Sequence, residues 1–560
     1  KPKARVVERI GRADEPRSIS LISIAEHQIP FQFSPAGLTQ AKEAGPATLG
    51  KRTDLRQVPL VTIDGDDARD FDDAVFAEPD TDPKNEGGWR LLVAIADVAH
   101  YVRTGDALDK TARERGNSAY FPDRVVPMLP EELSNGWCSL KPNEDRPCMA
   151  VEIVIDAKGN KLRHRFMRGL MRSQARLTYE QVQEARDGRP TDFTRPLLEP
   201  ILKPLYGAFQ ALLKAREARG TLDLDIPERR VFLGEDGHIE RIVPRSRLDS
   251  HRLIEEFMIA ANVAAAEALE KRHRPCMYRV HDQPDPVRIE ALRQFIEGLG
   301  FKLARGQVIR PKHFTRLLEQ AKGTPYEAMI HTLTLRSQMP AVYSPENLGH
   351  FGLALQRYAH FTSPIRRYSD LLVHRALITA YGFGEDGLPP DAGATFEATG
   401  QHISATERRA AAAERDAIDR YVAHFMSERV GENFDGRING VARFGLFVTL
   451  NETGADGLLP VGTLPADFYD HDERAHALIG RRNGRAFQLG APITVRLAAA
   501  QPLTGGLTFE LVAGGSAHQD DRAGPSAGRR SAAHHPPSPA RKGPKRPKPV
   551  KSRGKGRKRR

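Results

Sequence analysis

VPLVTIDGDDARDFDDAVFAE, residues 58–78, decides how the rest of this chain is read. An apolar, β-branched run enters the stretch and another leaves it, the pattern of two strands joined by a polar loop. Between Asp64 and Asp73 the loop carries six Asp and one Arg, Arg69. Carboxylates this close favour protonation unless a cation neutralises them. Oxygen donors with no His or Cys beside them suit magnesium, with manganese as a substitute, rather than zinc. A water bound to such a cation is a nucleophile for a phosphate. The plainer reading is a solvated acidic turn, although such turns rarely sit at this density between two apolar strands. An EF-hand calcium loop fails, because its fifth and twelfth positions would be Ala68 and Val75.

Working outward, WRLLVAIADV reads as another buried strand, and residues 248–272 and 401–430 have helical apolar spacing, the first with Asp249 or Ser250 as its cap. Residues 57–428 are therefore expected to form one large α+β unit. Upstream, ARVVERI and SISLISIAE read as short strands around a turn, the end of a β-domain over residues 1–34. Residues 35–56 read as a linker. Within it GPATLGKR nearly matches a phosphate-binding loop, but Arg52 stands where the hydroxyl residue belongs. Downstream, residues 430–513 hold five short strands, the first two around a Gly/Asn turn, as in a small OB-type barrel. Residues 514–560 are Pro, Gly, Ser, Lys and Arg with almost no large apolar side chains and are expected to be disordered. The fold class is α+β multidomain.

The chain has 560 residues and a formal charge of +12. From Ser516 onward 15 Lys and Arg face two acids, a surplus larger than that of the whole chain. The first 515 residues are therefore close to neutral, and any attraction for nucleic acid there must come from local patches. Three cysteines without CxxC spacing fit a reducing, cytoplasmic setting. Asp97 interrupts the longest apolar run, so no membrane partner is expected. The sequence begins at Lys1 without an initiator Met and is read as a fragment or a processed chain.

A second constellation is RYAHFTSPIRRYSDLLVHR, residues 357–375. Ser363 followed by Pro364 predicts a helix start, which puts Arg366 and Arg367 in the first turn. Cations there oppose the helix dipole unless an anion binds between them and the amides. Tyr358, His360 and Phe361 lie just upstream, where rings could stack on bases. The bland alternative is a capped surface helix whose arginines pair with Asp370.

These stretches together resemble the RNase II/RNase R family of exoribonucleases, closer to its RNase R branch. IDGDDARDFDDAV, VAIADV, YFPDRVVPMLPEELSNGWCSL, LIEEFMIAAN, HFGLALQRYAHFTSPIRRYSDLLVHR and AERD look like parts of its catalytic RNB domain. The resemblance implies magnesium-dependent, processive hydrolysis of single-stranded RNA from the 3′ end to nucleoside 5′-monophosphates. By position it makes Asp64 and Asp73 direct metal ligands. Asp70 would hold a ligand or a bound water, and Asp72 would orient the attacking water or support a second metal. Arg366 would steady the scissile phosphate. Tyr120 would stack on the terminal nucleotide, Glu414 would lie near the end of the RNA path, and Tyr179 and Glu255 would read the ribose. Where the family has an aromatic opposite the stacking tyrosine, this sequence has Leu224, a loss of about 1 kcal/mol of stacking. Residues 430–513 resemble the family's S1-type domain, with Phe434, Phe444 and Phe447 on or near its RNA face. Alternation along a barrel strand means that these cannot all point outward.

The resemblance also identifies residues 1–34 as the end of a cold-shock domain; the family's upstream helix-turn-helix and first cold-shock domain are not in this sequence. Structured RNA or the ribosome is the expected partner of the basic tail, whose plain alternative is a solubilising end. A monomer is expected. A catalytically inactive RNA-binding protein on the same fold is the second functional reading, and loss of a metal-ligand Asp would mark it. A DNA-directed magnesium phosphodiesterase is the third.

Overall fold

Strands buried on both faces read as unbroken runs of Val, Ile, Leu and Ala, and Trp89–Ala96 at the middle of a seven-stranded sheet is of that kind. In the computed structural model, which describes residues 6, 9–11, 17–224, 229–234, 239–244, 247–303, 308–324 and 326–517, the sheet runs from the edge strand Thr53–Leu55 through Lys161–Arg172, Asp145–Ile155, Trp89–Ala96, Asp73–Pro79 and Val61–Asp64 to Ala175–Thr178. Leu91 to Ala96 form its middle, and none but Leu92 is exposed at all. Val61–Asp64 pairs with Asp73–Pro79 only at Val61 and Val75. Beyond that point the two strands part and release the acidic loop. Asp64 stays in register with Thr178 of the parallel edge strand. The helices Lys203–Arg219 and Asp249–Lys271 lie on the sheet, and Tyr368–Tyr381 packs on the second of them.

Several expectations hold. The two long helices span Asp249–Lys271 and Phe396–Ser427, and Leu248 rather than Asp249 or Ser250 occupies the cap position of the first. Asn433–Ala442, Gly445–Leu450, Asp456–Pro460, Pro492–Gln501 and Gly506–Gly514 close a five-stranded barrel. Val422, Ala423 and Met426 of the long helix enter its core, which joins the barrel to the rest of the fold. The turn of the first barrel hairpin lies at Arg443–Phe444, while Asn439–Gly440 forms a bulge where the register shifts. A four-stranded sheet including Tyr469–Asp472, Ala477–Gly480 and Arg485–Gln488 was not foreseen.

SISLISIAE is not a strand: Arg17–Glu26 is a helix. Its alternating Ser and Ile suggest a pleated strand, but packing on the helix Phe396–Ser427 overrides that preference. The buried serines remain satisfied there, with Ser23 Oγ donating to Asp416 at 2.7 Å and Ser20 Oγ to Asp123. The segment 35–56 is not a plain linker either. Ser34 caps a helix Pro35–Lys42 by accepting from Gly37 N, and Thr53–Leu55 joins the sheet. Most of ARVVERI and the basic tail from residue 518 lie outside the described residues. All three cysteines are buried and unpaired. Among the described residues no helix is long and apolar enough to cross a membrane.

Candidate metal and phosphate site

Asp64 ends one strand and Asp73 begins its neighbour, so the sheet itself sets both ends of the acidic loop. Asp66 and Asp67 point outward and are exposed. Asp72 and Asp73 are buried. Asp72 Oδ1 accepts the Ile365 N–H at 2.9 Å, which ties the loop to the SPIRRYS turn. Asp70 Oδ2 accepts the Tyr120 hydroxyl at 3.3 Å. Asp64, Asp72 and Asp73 each keep a buried Oδ2 with no hydrogen-bond partner. The Asp72 atom lies 3.4 Å from Arg366 Nε.

Unsatisfied buried oxygens of this kind are costly. Burial, helped by the mutual repulsion of the acids and opposed by Arg366, pushes the Asp64 carboxyl up to about 6 and Asp73 up to about 8. It also raises Asp70, and Asp72 well above the usual carboxylate range. Hard oxygen donors with orphaned atoms fit a divalent cation. Among the described residues no three His, Cys, Asp or Glu stand close enough to enclose a metal by themselves. Magnesium tolerates that, because it keeps several waters and shares phosphate oxygens, whereas a structural zinc site does not.

The shifts give a test of cation binding with a defined sign. Unfolded, each carboxyl titrates near its ordinary value; folded, Asp64 and Asp73 hold their protons to about 6 and about 8. The folded state therefore binds more protons between those limits, so without a cation stability falls as pH rises through that window. A bound divalent cation offsets the loss. In chelator, Tm should be lower at about pH 8 than at about pH 6, and added magnesium should raise Tm by at least about 2 °C more at the higher pH. Equal magnesium gains at both pH values would contradict ionisation coupled to the cation.

The facing turn differs from the expected capped helix. The helix begins at Tyr368 with Arg367 in the cap position, so neither arginine lies inside the first turn. Asp370 does, and its fully buried carboxylate gathers the turn. It accepts Ser363 N–H at 2.8 Å, Arg367 Nε at 2.9 Å, Arg367 Nη2 at 2.7 Å and Ser369 Oγ at 2.8 Å. A carboxylate at a helix start is favoured by the dipole. Arg367, expected to contact RNA, is thereby committed to Asp370. Arg366 stays more open: its side chain is 44% exposed, donates to Ser363 Oγ at 3.0 Å and otherwise faces Asp72 at 3.4 Å. Ser118 N donates to Arg366 O and Tyr368 N to Gly116 O, which brings Tyr120 beside Arg366. Together with Asn117, Tyr343 and Glu407 they line a cleft of about 220 Å³. A larger cavity of about 1100 Å³ borders Ala68, Arg69 and Phe71 of the same loop, but none of the four acids lines it.

The remaining expected residues divide. Glu414 Oε1 accepts Tyr120 N–H at 2.8 Å, so it holds the tyrosine's backbone. Tyr179 stacks on His251 with ring centroids 4.1 Å apart, and Glu255 lies one helical turn beyond His251. Glu255 is itself bound by Arg216 and Arg247. Tyr358 is corrected: it is buried, with its hydroxyl accepting from Asn262, so it presents no face to a base. His360 is likewise held, by the Tyr343 hydroxyl at 2.9 Å. Phe434 is in the barrel core, whereas Phe444 and Phe447 are both exposed and meet edge to face at 6.0 Å. Leu224 packs against the helical cluster of Leu292, Phe314 and Leu317. Ser139 and Arg176 touch the acidic loop without having been singled out, because a lone Ser or Arg in a strand or loop carries no spacing signal, whereas the pairing with Asp370 weighed for both arginines is made by Arg367.

The acid loop, the arginine turn and the hairpin bearing Tyr120 thus converge from distant parts of the chain. The RNB domain family matches residues 52–382. The chain belongs to the RNB family. Its RNB sheet starts with Thr53–Leu55, inside the stretch first read as linker. The chain is 42% identical over 525 residues to Ribonuclease R of Vibrio parahaemolyticus, covering 91% of this chain and 62% of that protein. It is 41% identical over 516 residues to Ribonuclease R of Aquifex aeolicus, covering 91% of this chain and 72% of that protein. The chain thus spans about three fifths of the length of the Vibrio relative. Its fold matches Mycoplasma genitalium RNase R, solved in complex with ribose-methylated single-stranded RNA, with a TM-score of 0.84 at 28% identity over 90% of this chain and 79% of that one. The resemblance read from the RNB motifs is borne out.

Proposed function

We propose that this chain is a magnesium-dependent 3′→5′ exoribonuclease that hydrolyses single-stranded RNA processively to nucleoside 5′-monophosphates. The observation that carries the reading is the facing of Arg366 by buried carboxylates with orphaned oxygens, a negative site for a cation beside a positive one for a phosphate. Asp64 and Asp73 would hold the cation, with Asp70 and Asp72 supporting it or its waters. When bound, magnesium (or manganese in its place) supplies charge neutralisation at the phosphate and lowers the pKa of water. Asp72, buried and strongly basic for a carboxylate, is suited to take a proton from the attacking water at Oδ2. Arg366 would grip a non-bridging phosphate oxygen through its free guanidinium edge and stabilise developing charge. Tyr120, held by Asp70 and Glu414, would stack on the terminal base, while Tyr179 and Glu255 would approach the ribose, whose 2′-hydroxyl separates RNA from DNA. All four carboxylates and Arg366 are retained, which argues against an inactive RNA-binding protein.

The same reading makes the five-stranded barrel an S1-type OB domain that receives RNA on Phe444 and Phe447, each stacked base contributing about 1–3 kcal/mol. The basic tail would tether structured RNA or ribosomes, with affinity falling as salt rises. The chain would act as a cytoplasmic monomer. A 5′-labelled single-stranded RNA tests the central statement. We expect the label to pass from full-length RNA to short 5′-terminal end products as the strand is consumed from its 3′ end, the conversion to stop with chelator and to resume with magnesium, and the matched DNA to survive. Internal cuts, or equal loss of DNA, would refute it.

A further inference from the structure

The acidic loop is not held by its own backbone alone. Two side chains from other parts of the sheet domain bracket it. At its start, Arg176 Nη2 donates to Gly65 O at 2.6 Å and to Asp66 O at 2.8 Å, the two carbonyls that follow Asp64. Arg176 reaches them because its strand runs parallel to Val61–Asp64, with Thr62 opposite Arg176 and Asp64 opposite Thr178. Its guanidinium also lies over the Phe71 ring, 5.6 Å from the centroid, so one side chain spans both ends of the loop. At the far end, the fully buried Ser139 hydroxyl donates to Arg69 O at 2.8 Å and accepts Phe71 N–H at 3.0 Å. Those are the residues on either side of Asp70. Leu140 N then donates to Phe71 O at 3.0 Å. The backbone between Asp64 and Asp72 is thus fixed at each residue that flanks an inward carboxylate.

This arrangement has a physical purpose. Four carboxylates repel one another, and an unrestrained loop would relax by swinging them apart into water. Holding the carbonyls and amides keeps the acids gathered before a cation arrives. Groups that orient metal ligands in this way typically change metal affinity or activity by about 10–100-fold when removed. We propose that Arg176 and Ser139 are positioning residues that preset the acidic loop and so determine how tightly the site takes its divalent cation. The inference rests on the metal reading given above. Arg176 also provides a sign that separates positioning from electrostatics. A positive charge beside Asp64 repels a cation, so if charge were all that Arg176 contributed, removing it would tighten cation binding. Loss of positioning weakens it.

Manganese binding to the full chain, followed by isothermal titration in the absence of RNA, tests the proposal without relying on activity. Arg176→Met, which removes both charge and donors, is expected to weaken manganese binding about tenfold or more. Arg176→Lys keeps the charge but loses the grip on two carbonyls, and should also bind more weakly than the wild type. Ser139→Ala changes no charge and should weaken binding to a similar degree. Because Ser139 is fully buried, its variant must first show a cooperative thermal transition; the half-exposed Arg176 variants decide the matter if it does not. For each variant the magnesium concentration that half-saturates RNA shortening should rise in parallel, with the KM for RNA at saturating magnesium unchanged. Unchanged or tighter manganese binding in Arg176→Met overturns the proposal. A wild type that binds no manganese while Asp73→Asn behaves identically overturns the metal reading, and this inference with it.

Discussion

Asp73→Asn is expected to reduce single-turnover shortening of RNA by at least about 10³-fold, the loss of roughly 4 kcal/mol of transition-state stabilisation. The carboxamide has the shape of the carboxylate but not its charge, and Asp73 is a buried acid with an orphaned oxygen at the end of the loop. The same substitution should not cost stability. A group pushed up to about 8 must be either protonated or ionised at an energetic cost in the folded state near neutral pH. The amide avoids both, so in chelator at about pH 8 the variant should melt at or above the wild-type Tm. Magnesium should then stabilise it less. Full activity in the variant would remove Asp73 from the site. Lost activity with a collapsed thermal transition would mean that folding rather than chemistry had failed, and Asp64→Asn would then carry the test.

Arg366→Ala is expected to slow the chemical step by about 10²–10³-fold, the usual result of removing one donor aimed at developing charge. RNA affinity should change only a few-fold, because this arginine is one contact among many along a bound strand. Arg366 also opposes the raised pKa of all four acids. Without it they rise further, so the acid limb of the pH–rate profile should move to higher pH. Arg366→Lys restores a charge but not the planar fork, and should recover the pH profile more than the rate. Weakened RNA binding with an unchanged single-turnover rate would show that Arg366 holds substrate and not the transition state.

Much of the site could be read before the fold was known, for a chemical reason. Six acids between two apolar strands and two adjacent arginines after a Ser-Pro step are local patterns, and local patterns survive without tertiary information. The strands Trp89–Ala96 and Val61–Asp64, the two long helices and the five-stranded barrel were legible in the same way, from runs and periods of apolar residues. Misreadings arose where a local preference met a tertiary contact. SISLISIAE alternates like a strand, yet folds as a helix packed on Phe396–Ser427, where Asp123 and Asp416 accept its serines. Ser363-Pro364 has the form of a helix cap, yet Asp72 takes the Ile365 N–H from across the fold while Asp370 takes Ser363 N–H, and the helix starts only at Tyr368. Asn439-Gly440 has the form of a hairpin turn, yet forms a bulge beneath Phe447.

The sequence alone offered six clustered acids and two adjacent arginines, types that suit a cation and a phosphate, and the resemblance to the family singled out Asp64, Asp70, Asp72, Asp73 and Arg366 among them as the groups proposed for the chemistry. It could not say which of the two arginines is free, which aromatics are open or what holds the acids together. Those answers depend on which partner each group meets in the fold, from three residues away for Arg367 and Asp370 to 111 for Arg176 and Gly65. Asp370 takes Arg367 and leaves Arg366, Asn262 buries Tyr358, and Arg176 with Ser139 fixes the loop. A side chain's charge is written in the chain, but its availability is set by whichever partner the folded structure brings to it.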